Sequence, residues 1–140
     1  MPAMARSPGK TKALELIESW REGGDKVEAL AKLTNRALEQ GDLVRAEPAF
    51  REYRELVLLH LTREEDVSFP AAEKRAPSQG GPIKSLRVAH LSIRRDLGQV
   101  AQHLELGHAD AARAVFSAFL ESFASHERLE EQLIELLRKS

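Results

Sequence analysis

Three stretches of this chain place apolar residues at alternating steps of three and four, and that spacing limits the fold more than any other feature. Phe50, Tyr53, Val57, His60, Glu64 and Val67 step by 3, 4, 3, 4 and 3; Phe116, Phe119, Phe123, His126, Glu130 and Leu133 do the same. Leu86, His90, Ile93, Leu97, Val100 and Leu104 step by 4, 3, 4, 3 and 4. Each set falls on one face of a helix, as the inward seam of a bundle does. Strand-like alternation appears nowhere. The 140 residues suit one domain, and 42% hydrophobic with 31% charged residues suits a globular one. Abundant Leu, Ala, Glu and Arg favour helix throughout.

Punctuation divides the chain into helical segments. A short one covers residues 10–22, and Gly23 and Gly24 weaken any continuation. Asp25 with Glu28 reads as a capping-box-like start for a helix from 26 to 40, stopped by Gly41. Segments 10–22 and 26–40 can equally be one kinked helix or two. A long helix spans 43–69 and is expected to end at Pro70, with Pro48 marking a kink or its true first turn. The Gly-, Pro- and Ser-rich stretch 71–82 reads as the one clear loop. Pro82 opens a third helix to about 106, Gly107 breaks the chain, and a last helix runs from 109 to the C-terminus. The expected fold is all-α: an antiparallel up-and-down four-helix bundle over 25–140, with residues 1–24 as a short, partly helical N-terminal extension.

The two halves resemble each other at a shift of 66 residues. Over 37–65 and 103–131, Leu38, Glu39, Gly41, Ala46, Phe50, Glu55, His60, Glu64 and Glu65 meet Leu104, Glu105, Gly107, Ala112, Phe116, Glu121, His126, Glu130 and Glu131. His60, Glu64, His90, His126 and Glu130 all interrupt apolar seams, so they should converge at one level inside the bundle. Burying carboxylates unpaired costs on the order of several kcal/mol per ion, and a cation is an economical partner for the whole group. Neutral imidazole and carboxylate form a ligand set for iron, manganese or zinc. The four-residue spacing of His60–Glu64 and of His126–Glu130 puts both groups of each helix on one face.

The order His, His-x-x-x-Glu and the segment His60–Pro70, HLTREEDVSFP, resemble the hemerythrin-like, or HHE cation-binding, domain family over about residues 25–135. That resemblance implies a four-helix bundle with a non-haem, usually di-iron, site, whose members bind dioxygen or nitric oxide, sense or store iron, or help repair iron–sulfur centres. By matching positions it implies His90 and His126 on one metal, His60 on the other, and Glu64 and Glu130 bridging. The chain departs from the family in its first helix: the 66-residue shift puts Gly24 opposite His90, and no histidine precedes His60. Two consequences are open: the metal on His60's side is lost or weakened, or water or Asp25 fills the vacancy. Leu86 and Arg94 flank His90 where oxygen carriers have a four-apart histidine pair, which argues against classical dioxygen carriage.

The expected activity is binding or sensing of iron, or of a diatomic ligand such as dioxygen or nitric oxide, at an incomplete di-iron or single-iron site; no residue pattern demands an enzyme. The alternative is a metal-free bundle acting as a binding or regulatory module. The absence of cysteine excludes thiolate metal sites and thiol catalysis, and speaks against iron–sulfur repair. A net charge of −1 gives no reason to expect nucleic acid. No apolar run approaches the roughly 20 residues of a membrane span, so the expected location is cytoplasmic. Glu65 and Glu131 read as solvated neighbours of the site, with a weak role behind the ligands or as alternative ligands left open, Trp20 as an apolar anchor, and His103 and His108 as surface residues. Arg21, Arg94 and Arg113 carry no assigned role.

Overall fold

The computed structural model describes residues 8–139; the first seven residues of the expected N-terminal extension, and Ser140, lie outside them. Six α-helices follow one another: α1 (Pro8–Glu22), α2 (Gly24–Glu39), α3 (Leu43–Arg63), α4 (Phe69–Arg75), α5 (Gly80–Glu105) and α6 (Ala109–Lys139). A π-helical turn, Glu64–Ser68, joins α3 to α4, and a 3₁₀ turn, Pro77–Gln79, precedes α5. α2 packs on α3 and α6, and α5 packs on α6 and α3, which closes a ring of four antiparallel helices. There is no strand among the described residues, and none of their helices is long and apolar enough to cross a membrane.

The internal repeat is two α-hairpins with the same turn. Gly41 and Gly107 have φ of +68° and +74°, the left-handed conformation that glycine adopts without steric cost. Gly41 N–H donates to Leu38 O and Asp42 N–H to Ala37 O; 66 residues on, Gly107 N–H donates to Leu104 O and His108 N–H to His103 O. Each turn therefore satisfies the last carbonyls of one helix while reversing the chain. Beyond each turn Ala46 and Ala112 are wholly buried, and Phe50 and Phe116 meet edge to face at 5.6 Å.

Three boundaries differ from the sequence expectation. Asp25 is not an N-cap: α2 starts at Gly24 with Gly23 as cap and no side-chain bond. Gly23 N–H donates to Ser19 O and Val27 N–H to Gly23 O, so helical bonding reaches Gly23 from both sides while α1 and α2 remain two helices. Pro70 does not end its helix. The preceding π turn bonds each N–H five residues back, as Phe69 does to Glu64 O. In that register Pro70 lacks only the bond to Glu65 O, and Arg87 Nη1 donates to that carbonyl instead, at 3.3 Å. With the backbone satisfied, helix continues through residues 71–75, and the expected loop 71–82 shrinks to the few residues around the 3₁₀ turn.

The π turn also shifts the inward face by one residue. Val67, expected on the seam, is only half-buried, and Ser68 and Phe69 take the buried positions. Pro48 sits inside α3, which begins at Leu43 with the Asp42 side chain accepting from Arg45 N–H at 3.1 Å.

Two separate apolar clusters fill the interior. The larger joins Phe50, Tyr53, Val57, Ile93, Phe116 and Phe123; the smaller joins Ile17, Phe69, Ala72, Ile83, Leu86 and Leu133. Along α5 the order is Leu86, His90, Ile93; along α6 it is Phe123, His126, Glu130, Leu133; from α3 onward it is Leu61, Glu64, Phe69. A polar layer thus lies between the two cores.

Candidate metal centre

All five residues expected to converge do so, and none is more than 7% exposed. His60 and Glu64 come from the end of α3 and its π turn, His90 from α5, and His126 and Glu130 from α6. His60 Nε2 lies 3.2 Å from Glu64 Oε1 and 3.5 Å from Glu130 Oε2. His90 Nε2 lies 3.3 Å from Glu64 Oε1 and 3.2 Å from His126 Nε2, and His126 Nε2 also contacts Glu130 Oε1. One donor atom from each of Glu64, His90, His126 and Glu130 falls within 4.8 Å of the others.

His90 Nε2 and His126 Nε2 are within hydrogen-bond reach of each other, but not every close pair here is hydrogen-bonded. His60 Nε2, Glu64 Oε1 and Glu130 Oε1 are buried and have no aligned hydrogen-bond partner, although each has polar neighbours in reach. Such atoms cost free energy unless something satisfies them. Lone pairs aimed at a common region without bonding one another fit a shared cation, and imidazole with carboxylate is a suitable donor set for one.

The charges follow from burial. Desolvation, then the bond to Glu130, pushes the Glu64 carboxyl well above the usual carboxylate range. Burial acts upward on Glu130 as well, but its contacts with Glu64, His126 and His60 outweigh it and hold that carboxyl well below the range. The two neighbouring acids thus titrate as a pair, pushed in opposite directions. Desolvation lowers the His90 pKa, although the bond to Glu65 opposes it, so this imidazole is held neutral.

Glu65 and Arg94 are where the sequence reading falls short. Glu65 is no solvated neighbour: its Oε2 accepts from His90 Nδ1 at 2.7 Å, and Arg94 grips the same carboxylate with Nη1 at 2.6 Å and Nη2 at 2.9 Å. Slight desolvation works to raise the Glu65 pKa, but Arg94 and His90 lower it, so it stays ionised. With its proton on Nδ1, His90 presents the Nε2 lone pair to the cluster, as a ligating histidine must. The signal was present in the four-residue step from His90 to Arg94, one helical turn that lets both reach the same acid.

Trp20 is more than an apolar anchor. Its ring stacks on His60 at 4.0 Å and 9°, and its Nε1–H donates to Glu127 Oε2 at 3.0 Å. Glu127 carried no sequence expectation. Arg21 pairs with Glu131 at 2.6 Å and Arg113 with Glu39 at 3.5 Å, both at the surface. His103 and His108 lie at the α5–α6 turn, half-buried and exposed respectively, far along the chain from the cluster.

The bundle and its layer define a class: helical proteins that hold histidine and carboxylate groups between apolar cores. Residues 12–136 match the family model described as the hemerythrin HHE cation binding domain, and the chain belongs to that family. Among curated proteins and among solved structures, none matches the chain.

Proposed function

We propose that this protein binds iron at the buried layer, with Glu64, His90, His126 and Glu130 as the primary ligands and His60 adjoining, and that through the iron it senses the metal itself or a diatomic ligand such as dioxygen or nitric oxide. The observation that carries this reading is the convergence of four donor atoms within 4.8 Å, with Glu64 Oε1 and Glu130 Oε1 buried and used by no hydrogen bond. Iron so held would supply redox chemistry and affinity for small diatomic ligands. The chain's own residues do the rest. Glu65, fixed by Arg94, orients His90; Glu64 gives up its proton when a cation arrives; Phe69 at 5.2 Å from the His90 ring, with Phe123, walls the layer from bulk water.

The test is elemental analysis of protein purified after iron supplementation, with His126→Ala beside the wild type. At least about one iron per chain, lost in His126→Ala, is the expected result. A charge-transfer band that moves on adding azide or nitric oxide supports the ligand-binding part. Iron-free wild type that also fails to take up manganese or zinc favours the alternative, a metal-free bundle acting as a binding or regulatory module.

A further inference from the structure

A cavity of about 420 Å³ opens beside the polar layer, on the side of His60 away from His90, and is lined by Trp20, Asp25, Tyr53, His60, Glu127 and Glu130. Two of its walls are unsatisfied. His60 Nε2 and Glu130 Oε1 are buried without aligned hydrogen-bond partners. Glu127 is the third group of interest, placed by Trp20, which stacks on the His60 ring while its N–H donates to the Glu127 carboxylate. One indole thus holds an imidazole and a carboxylate side by side.

We infer that Glu127, rather than Asp25 or water, is the ligand that stands in for the absent first-helix histidine, completing a second cation position with His60 and Glu130, and that Trp20 is its positioning residue. The inference rests on the reading of the layer as a metal centre. Chemistry favours a cation over an organic ligand here. Arg21, the cationic side chain on the cavity wall, is already committed to Glu131, so Asp25, Glu127 and Glu130 face the space with no cationic side chain paired to them among the described residues. Carboxylates in a recessed, partly dry space concentrate counter-ions of opposite sign. Glu127 is half-buried, and the Trp20 N–H is its one side-chain hydrogen-bond partner among the described residues, so its carboxylate has acceptor capacity left for a cation. The spacing suits the role too: Glu127 and Glu130 are three residues apart on α6 and share a face. Asp25, exposed on the first turn of α2, lies at the cavity wall.

The experiment counts bound cations by anaerobic ferrous-iron and cobalt(II) titration, with visible spectra of the cobalt form, for wild type, Glu127→Gln, Trp20→Phe and His90→Ala. Circular dichroism checks that each variant is folded. Wild type should take up about two cations per chain and Glu127→Gln about one, with a changed cobalt spectrum. Trp20→Phe keeps an aromatic ring on His60 but loses the N–H, and should weaken the second binding step by about tenfold. In Glu127→Gln the further change Trp20→Phe should have no effect on cation affinity, which a merely structural role for the tryptophan would not predict. Two cations in Glu127→Gln with unchanged affinity overturns the inference, as does a single cation in wild type that Glu127→Gln leaves untouched; in both cases the metal centre itself stands. No cation in wild type removes the metal centre and the inference together.

Discussion

Glu64 and Glu130 share a helix-lined interior but their carboxyl groups are pushed in opposite directions, Glu64 up and Glu130 down, and this asymmetry is measurable. The Glu64 pKa in the folded chain lies above its ordinary value of 4.5. Its contribution to stability is therefore fully present below that value and is lost as pH rises through the folded pKa, because only the unfolded chain can ionise it freely. Glu64→Gln, an isostere of the protonated acid, should remove that loss. In metal-free protein the melting temperature of the variant should exceed that of wild type at pH 8 and converge with it near pH 4, as read by thermal denaturation. A variant that melts below wild type at pH 8 contradicts this. Glu65 offers a second test at the same scale. Glu65→Ala frees the His90 ring and leaves Arg94 unpaired, and should weaken cation binding by about 10–100-fold in chelator competition while leaving the fold intact.

These residues were not equally legible in the sequence. His60, Glu64, His90, His126 and Glu130 stood out because each breaks an apolar seam, and seam position reports burial. Glu65 and Glu127 lie one residue off the seam, where helical spacing predicts solvent. Each is drawn inward by a partner more than 20 residues away, Arg94 for one and Trp20 for the other. Pairing across helices leaves no mark on the periodicity of either helix.

At the scale of elements, the π turn determines where the carboxylates go. Glu64, on the expected seam, is its first residue; beyond it the turn advances the inward face by a residue, so that Ser68 and Phe69 are buried in place of Val67 and Phe69 starts the smaller core, while Glu65 reaches His90 from the flank. Its weak point is the Glu65 carbonyl that Pro70 cannot serve. Arg87 donates to it while its other nitrogens hold Glu73 at 2.7 and 3.3 Å. Arg87→Ala should destabilise the protein by about 1–2 kcal/mol in urea denaturation, mainly through the orphaned carbonyl, since the Glu73 pair is exposed to solvent. Arg87→Lys, which keeps the charge but not the fork, should recover little of that. Pro70 announces a break but not its remedy: a proline reads as a stop unless the register before it is known, and π register has no residue signature as plain as glycine's at Gly41 and Gly107.

For the whole molecule, cation binding and folding are linked. A cation that binds only the native chain adds stability as its concentration rises, about 2.7 kcal/mol at a hundredfold excess over Kd. Melting temperature should climb with added cation in wild type and stay flat in His126→Ala. The bundle itself needs no cation to be recognised, because its seams, hairpin glycines and internal repeat are written in residue type and spacing. Which helix completes the fourth corner was less plain. The turn at Gly23 joins α1 to α2, so that Ile17 packs in the smaller core while Ala31 and Leu38 pack in the larger.

The division of the interior has a consequence for how the protein comes apart. Two oily compartments separated by a polar storey adhere to each other only as well as that storey is satisfied. Without an ion, the end built from α1 and α4 should open on its own, and its amides should exchange with deuterium well ahead of those in the Phe50–Phe116 compartment. With an ion in place both ends should exchange together, as a single cooperative unit. The ion would then act as a rivet between two halves that hydrophobic burial alone cannot join.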